Sequence, residues 1–202
     1  MKDNLIITIG REFGSGGREI GELLAQRLGV KCYDKLLLKL AAEQSGFSEK
    51  LFEMNDERNV RSISASLLTN SYFSTVSTRQ PMLVQLFLAQ FNAIRSLEDK
   101  GTCVIIGRCA DDVLKNYPHK LRVFVCADKY KKIERVMARH ECSEKEAEKL
   151  IRKTDKARAK YYNYFSSGIW GDARTYDLCV NSSVLGIEGT VNAIIAFAEQ
   201  IE

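Results

Sequence analysis

Leu5-Ile6-Ile7-Thr8-Ile9-Gly10-Arg11-Glu12-Phe13-Gly14-Ser15-Gly16-Gly17-Arg18-Glu19-Ile20 holds the most informative pattern in the chain. The β-branched run from Leu5 to Ile9 ends at Gly10 and predicts a short buried strand. Gly14-Ser15-Gly16-Gly17 follows. From Glu19 the apolar residues recur at helical spacing, at Ile20, Leu23, Leu24 and Leu28, until Gly29 stops the helix in the usual C-terminal place. Strand, glycine turn and helix in this order let several backbone N–H groups converge in front of the positive end of a helix dipole. Phosphate is the natural occupant, because the charge sign is right and close backbone approach requires residues without a β-carbon. Gly14, Ser15, Gly16 and Gly17 are therefore the candidate phosphate-binding residues.

Outward from that stretch the chain alternates. Val30 to Tyr33 predicts a second strand and Lys35 to Gln44 a second helix. Residues 48–100 carry no strand pattern: Leu83 to Leu97 is one amphipathic helix, and the polar, Ser- and Thr-rich Asn70 to Gln80 reads as a mobile loop. Cys103 to Ile106 predicts a strand ending at Gly107-Arg108, and Leu121 to Cys126 one ending at Ala127-Asp128. Ser143 opens a long helix, with Glu146 completing a capping box. Leu178 to Val180 makes a last strand and Ile187 to Ile201 a closing helix. Short unbroken apolar strands alternating with helices imply an α/β fold with a parallel sheet covered on both faces.

Composition narrows the function classes. With 202 residues the chain predicts one domain, and 45% hydrophobic with 28% charged residues is ordinary for a globular protein. The formal charge of +4 is too mild to call for nucleic acid and fits an anionic small ligand. No apolar run approaches the roughly 18 residues of a membrane helix, and Leu5 to Ile9 is too short for a secretory signal, so a cytoplasmic protein is expected, with no membrane partner. The six cysteines form no C-x-x-C pair, which leaves a metal site or disulfide framework unsupported; Cys103, Cys126 and Cys179 lie in apolar stretches and are expected to be buried.

The standard phosphate-loop spacing, G-x-x-x-x-G-K-[ST], fits in no register. With Gly16 as the second glycine, Arg11 stands at the first, Gly17 at the lysine and Arg18 at the hydroxyl position. Arg18 and Arg11 are the nearest substitute cations. Arg108 ends a parallel strand, where open α/β sheets bind ligands, and a planar guanidinium suits a phosphate or a base edge. Asp34 ends the second strand. Asp111 and Asp112 follow Arg108 and suit either a water-bridged Mg²⁺ or a simple helix start. On the helix from Ser143, Arg152, Asp155 and Lys156 share one face and Arg158 lies about 60° beyond Asp155. Glu148 and Arg152 are spaced for an i,i+4 pair. The aromatic group Tyr161, Tyr162, Tyr164, Phe165 and Trp170 suits base stacking or plain packing. His119 and His140 belong to no hydrolytic triad pattern.

Ile9-Gly10-Arg11-Glu12-Phe13-Gly14-Ser15-Gly16-Gly17-Arg18-Glu19-Ile20, Ile106-Gly107-Arg108-Cys109-Ala110-Asp111, the long basic helix and Tyr176-Asp177-Leu178 together resemble the cytidylate kinase-like family. The resemblance implies a three-layer P-loop fold: a five-stranded parallel sheet flanked by helices, with a helical acceptor-binding insert over about 48–100 and a helical lid over about 143–170. It implies transfer of the ATP γ-phosphoryl group to CMP or a similar nucleotide, with Mg²⁺ bridging the ATP oxygens. Arg18, Arg152 and Arg158 would then be the catalytic cations. Gly14, Ser15, Gly16, Gly17 and Arg18 would hold ATP, and Asp34, Arg108 and Asp155 would serve the substrate. Two departures keep alternatives open. Gly17 stands where cytidylate kinases have their loop lysine, and of their D-S-G-x-x-Y-R motif only Asp34 is matched. A catalytically silent nucleotide-binding protein, or an ATP-dependent kinase of another small acceptor, fits the same residues.

Overall fold

Five strands pair into one parallel sheet: β1 (Ile6–Arg11), β2 (Lys31–Tyr33), β3 (Cys103–Ile106), β4 (Lys120–Cys126) and β5 (Leu178–Asn181), in the order β2-β3-β1-β4-β5. This is a computed structural model, which describes residues 3–55, 81–98 and 100–201; the expected Asn70–Gln80 loop lies outside them. β1 is central, with Ile6 opposite Cys103 on one side and Lys120 on the other. Side-chain alternation along the strands divides the core. Ile6 and Ile105 face α2 (Lys35–Ser45) and α4 (Met82–Arg95), where Leu37, Leu38, Leu86 and Ile94 bury them; α3 (Glu49–Met54) adds Phe52. Ile7, Ile9, Val104, Ile106, Val123 and Val125 face α1 (Gly17–Leu28) and α8 (Ser182–Glu199) through Ile20, Leu24, Val191 and Ile194. The three layers follow directly, because a strand apolar on both faces needs cover on both.

Three expectations change. The closing helix begins earlier than Ile187, but Gly186 (φ 66°, ψ −176°) breaks it, so the uninterrupted part starts where the apolar spacing placed it. Cys103 is buried, Cys126 is half-buried and Cys179 is exposed. β5 is the sheet's edge, so an apolar neighbourhood in sequence did not mean burial for Cys179. Glu148 reaches across to Lys129, 2.5 Å away, rather than along its own helix to Arg152. Among the described residues no helix is long and apolar enough to cross a membrane.

The strand order positions the site. Loops after β1, β3 and β4 leave neighbouring strands at the same carboxyl edge, which is where open α/β sheets gather ligands. α5 (Ala110–Val113) follows β3, and α6 (Lys129–His140) and α7 (Glu144–Phe165) follow β4. α6 and α7 pack through Ile133, Val136, Ala147 and Ile151, with Phe13 of the glycine loop against that cluster.

Candidate active site

The glycine loop is a rigid, self-bonded turn. Gly14 (φ 83°) and Gly16 (φ 78°) adopt left-handed backbone, which a β-carbon would make costly by about 1–2 kcal/mol each. A β-carbon on Gly14 would also lie 2.8 Å from the Lys132 carbonyl oxygen, so the loop and α6 touch backbone to backbone. The Ser15 hydroxyl donates to the Glu12 carbonyl (2.9 Å) and accepts from the Gly17 N–H (3.3 Å). From outside, the Ser182 hydroxyl donates to the Ser15 carbonyl (2.6 Å), and Arg135 donates to the Gly14 carbonyl (3.3 Å).

α6 and α7 clamp the approach to this loop from β1. Glu12 accepts from the Lys132 ammonium (3.0 Å) and from the Ala127 N–H (3.2 Å). The Phe13 N–H donates to the Asp155 carboxylate (2.7 Å), and Lys132 lies 3.9 Å from the other oxygen. Burial pushes the Asp155 carboxyl up to about 6, against the pull of the Phe13 N–H and Lys132. Arg158 is 5% exposed and donates to the Arg11 carbonyl at 3.1 Å, with the Phe13 ring 5.8 Å from its guanidinium carbon. These contacts leave a cleft of about 480 Å³ in front of the loop, lined by Arg11, Arg18, Arg135, Arg139 and Arg158 with Glu12 and Glu19 as its acidic residues. The cationic excess suits a polyphosphate.

A second, tighter recess adjoins it at the end of β3. Gly107 (φ 73°), Arg108 (φ 61°) and Cys109 (φ 56°) are three successive left-handed residues, a backbone state that non-glycine side chains rarely adopt and that concentrates at functional sites. The turn drives Arg108 inward to 4% exposure, with Nη2 3.3 Å from Asp34 Oδ1. The other Asp34 oxygen lies 3.1 Å from Arg18 Nε, which also meets Glu22 at 3.0 Å. Tyr161, Tyr162, Trp170 and Tyr176 close the recess to about 10 Å³, and Tyr162 donates its hydroxyl to Asp111. Burial pushes the Asp111 carboxyl up to about 6 and the Tyr162 and Tyr176 hydroxyls upward as well. Asp112 accepts from the Ser167 backbone and hydroxyl (3.1 and 2.7 Å), so it ties the chain after α7. The remaining aromatic residues pack: Phe165 stacks on Phe87 with centroids 4.1 Å apart.

Most residues singled out by sequence converge here. Gly14, Gly16, Gly17, Arg18 and Arg158 meet at the cleft, Ser15 is buried beneath it and braces the turn, Asp34 joins Arg18 to Arg108, and Asp155 holds the loop backbone. Arg152 and Lys156 are exposed, away from the cleft lining, because Asp155 and Arg158 turn α7's other side inward. Sequence reasoning missed α6 entirely, and with it Lys132, Arg135 and Arg139. Ile133, Val136 and Met137 form its thin apolar stripe, and Arg135 and Arg139, spaced i,i+4, share a face.

A parallel sheet with this strand order, carrying a glycine loop between its central strand and first helix, defines a P-loop kinase fold. A structure from Bacteroides thetaiotaomicron, a shikimate kinase, shares that fold at 14% identity, a TM-score of 0.55 and coverage of 98% of this chain and 99% of its own. The family model of the cytidylate kinase-like family matches residues 6–184, and the chain belongs to that family. It is therefore a phosphotransferase of the nucleotide and small-molecule kinase class. A curated cytidylate kinase from Pyrococcus horikoshii is 27% identical, covering 100% of this chain and 92% of its own. An uncharacterized protein from Eubacterium ventriosum is 30% identical with a TM-score of 0.71, covering 97% and 99%.

Proposed function

We propose that the protein transfers the γ-phosphoryl group of ATP to CMP or a similar pyrimidine nucleoside monophosphate. The observation that carries this reading is the junction of the two recesses: Arg11 and Arg158 line both the cleft at the glycine loop and the recess at Arg108. A donor phosphate chain on the loop and an acceptor phosphate at Arg108 would meet between those guanidinium groups. The 27% identical cytidylate kinase supports CMP as the acceptor. On this reading the chain works as one domain over 1–202, with the 48–100 segment as acceptor-binding insert and about 143–170 as lid.

Positioning and charge neutralisation do the catalytic work. The backbone of Gly14, Ser15, Gly16 and Gly17 holds the ATP phosphates. Arg158 stabilises charge on the transferring group, and Arg108, held by Asp34 together with Arg18, orients the acceptor. Asp155 serves indirectly, by fixing the Phe13 backbone. The acceptor phosphate is already ionised near neutral pH, so no general base is needed. Mg²⁺ would supply charge neutralisation on the phosphate chain. The described residues do not fit as its direct ligands: no three His, Cys, Asp or Glu side chains cluster, Glu12 is engaged by Lys132, and Arg18 fills the usual hydroxyl position.

ADP release coupled to a spectroscopic readout, run with ATP·Mg²⁺ across nucleoside monophosphates, tests the proposal. Turnover with CMP or another pyrimidine monophosphate is expected. ATP binding without turnover on any acceptor would establish a silent nucleotide-binding protein instead. Turnover confined to an alcohol acceptor would establish a different kinase.

A further inference from the structure

The glycine loop departs from the standard spacing at both ends of the motif. The position of the first glycine carries Arg11, and the position of the lysine carries Gly17. In the structure these two positions are neighbours. A β-carbon on Gly17 would lie 2.5 Å from the Arg11 Cβ and 3.1 Å from its Cγ. Both β-carbons are fixed by backbone, so no rotamer relieves such a contact, and one of the two positions must be glycine. Side chains at 11 and 17 would also leave almost the same point in space and so reach the same region.

We propose that Arg11 supplies the loop cation that standard phosphate loops carry on their lysine, glycine and base having exchanged ends of the motif. The inference rests on the phosphoryl-transfer reading above. Arg11 is the last residue of β1 and only 4% exposed, and it borders both recesses, where a β- or γ-phosphate would sit between donor and acceptor. A guanidinium fork there bridges two phosphate oxygens, where an ammonium acts as a point charge. Arg18 is the weaker candidate. Its Nε sits between Asp34 and Glu22, which aim it at the acceptor side, making it a positioning residue for Asp34 and Arg108. Gly17 is then a steric consequence of Arg11 and no sign of lost activity.

A four-way exchange tests this: wild type, Arg11→Gly, Gly17→Lys and the double Arg11→Gly/Gly17→Lys, with Arg11→Met to keep the stem and remove the charge. Each is measured for kcat, for affinity towards ATP and inorganic triphosphate by calorimetry, and for melting temperature. Arg11→Met and Arg11→Gly are expected to lower kcat about 100-fold, the scale of removing one transition-state donor, and to weaken triphosphate binding at least tenfold. Gly17→Lys alone, pressed against Arg11, is expected to lose binding too. The double variant restores the standard order, and should regain at least tenfold in kcat and affinity over Arg11→Gly. Steric complementation between positions 11 and 17 would restore the melting temperature alone, so regained kcat and triphosphate affinity at equal melting temperature are what identify the cation. Wild-type kcat and triphosphate affinity in Arg11→Met, or a double variant no better than Arg11→Gly, overturns the Arg11 assignment and leaves the kinase reading standing. A wild type that neither binds triphosphate nor turns over overturns both.

Discussion

At the glycine loop five arginines face a cleft of about 480 Å³; around Arg108 the described residues leave about 10 Å³, Asp34 holds two arginines and Tyr162 caps Asp111. The first region is organised ahead of its ligand. Its backbone is held by Ser15, Ser182, Asp155 and Arg158, so a polyphosphate would meet a preformed loop. The second region neutralises itself with its own carboxylates, which avoids the several kcal/mol that a buried unpaired guanidinium costs. An acceptor phosphate would meet Arg108 beside Asp34, which keeps the guanidinium in place. The comparison teaches that loss of a loop residue should abolish binding, whereas loss of an acceptor-side residue should retune it.

The largest effect is expected at Gly16. A β-carbon there meets Ile187 Cδ1 at 2.5 Å and the Arg135 guanidinium at 3.6 Å on left-handed backbone, so Gly16→Val would displace the loop and the cation beside it. ATP affinity should fall more than 100-fold by calorimetry while circular dichroism stays native. Gly29→Ala provides the contrast, with φ 64° but nothing within 4 Å. It should cost about 1 kcal/mol of stability and leave affinity unchanged. Equal affinities in the two variants would remove the loop from the phosphate site.

Arg158→Ala comes next. Because Arg158 is already seated on the Arg11 carbonyl, its removal should lower kcat at least 100-fold and the melting temperature together. A kcat within threefold of wild type would reduce α7 to a brace. Smaller and opposite in kind is Asp34→Asn, which weakens the grip on Arg18 and Arg108 at once. The acceptor KM should rise about tenfold with the ATP KM nearly unchanged. If ATP binding suffers equally, the two regions are one.

The contrast also explains what the sequence disclosed. Strands and α1 rest on local apolar runs and glycine stops, and the Ser143–Glu146 capping box is a local exchange that formed as expected. Loop residues were legible because close backbone approach demands glycine. What escaped is carried by contacts distant in sequence, such as Phe13 to Asp155 and Arg11 to Arg158. Spacing put Arg152 and Asp155 on one helix face, but only packing of α7 on α6 decides which side meets the loop. α6 carries Ile133, Val136 and Met137 at i, i+3 and i+4 after Asp128, a helical spacing legible in the sequence, but nothing local in it says that Arg135 and Arg139 face the glycine loop.

The smallest effect is expected at Asp111, where the acceptor side's self-neutralisation becomes measurable as stability. Its carboxyl, 6% exposed, is pushed up to about 6 by burial, although the Tyr162 hydroxyl favours the ionised form. An unfolded aspartate titrates near 3.9. Between about pH 4 and 6 the native state therefore holds a proton that the unfolded state has released, and stability falls as pH rises through that window. Two units correspond to about 2–3 kcal/mol, and Asp155, also raised to about 6, adds to the same slope. Asp111→Asn keeps an oxygen for the Tyr162 hydroxyl and cannot ionise. In urea unfolding the variant should be more stable than wild type at pH 7.5 by about 1–2 kcal/mol, with the gap closing near pH 4. Asn more stable at neutral pH would mean that the closed region bears an ionised Asp111 at a cost in stability. A variant less stable at pH 7.5 would instead mean that the Tyr162 hydrogen bond outweighs burial, and the acceptor side would then be as well organised for its charges as the loop.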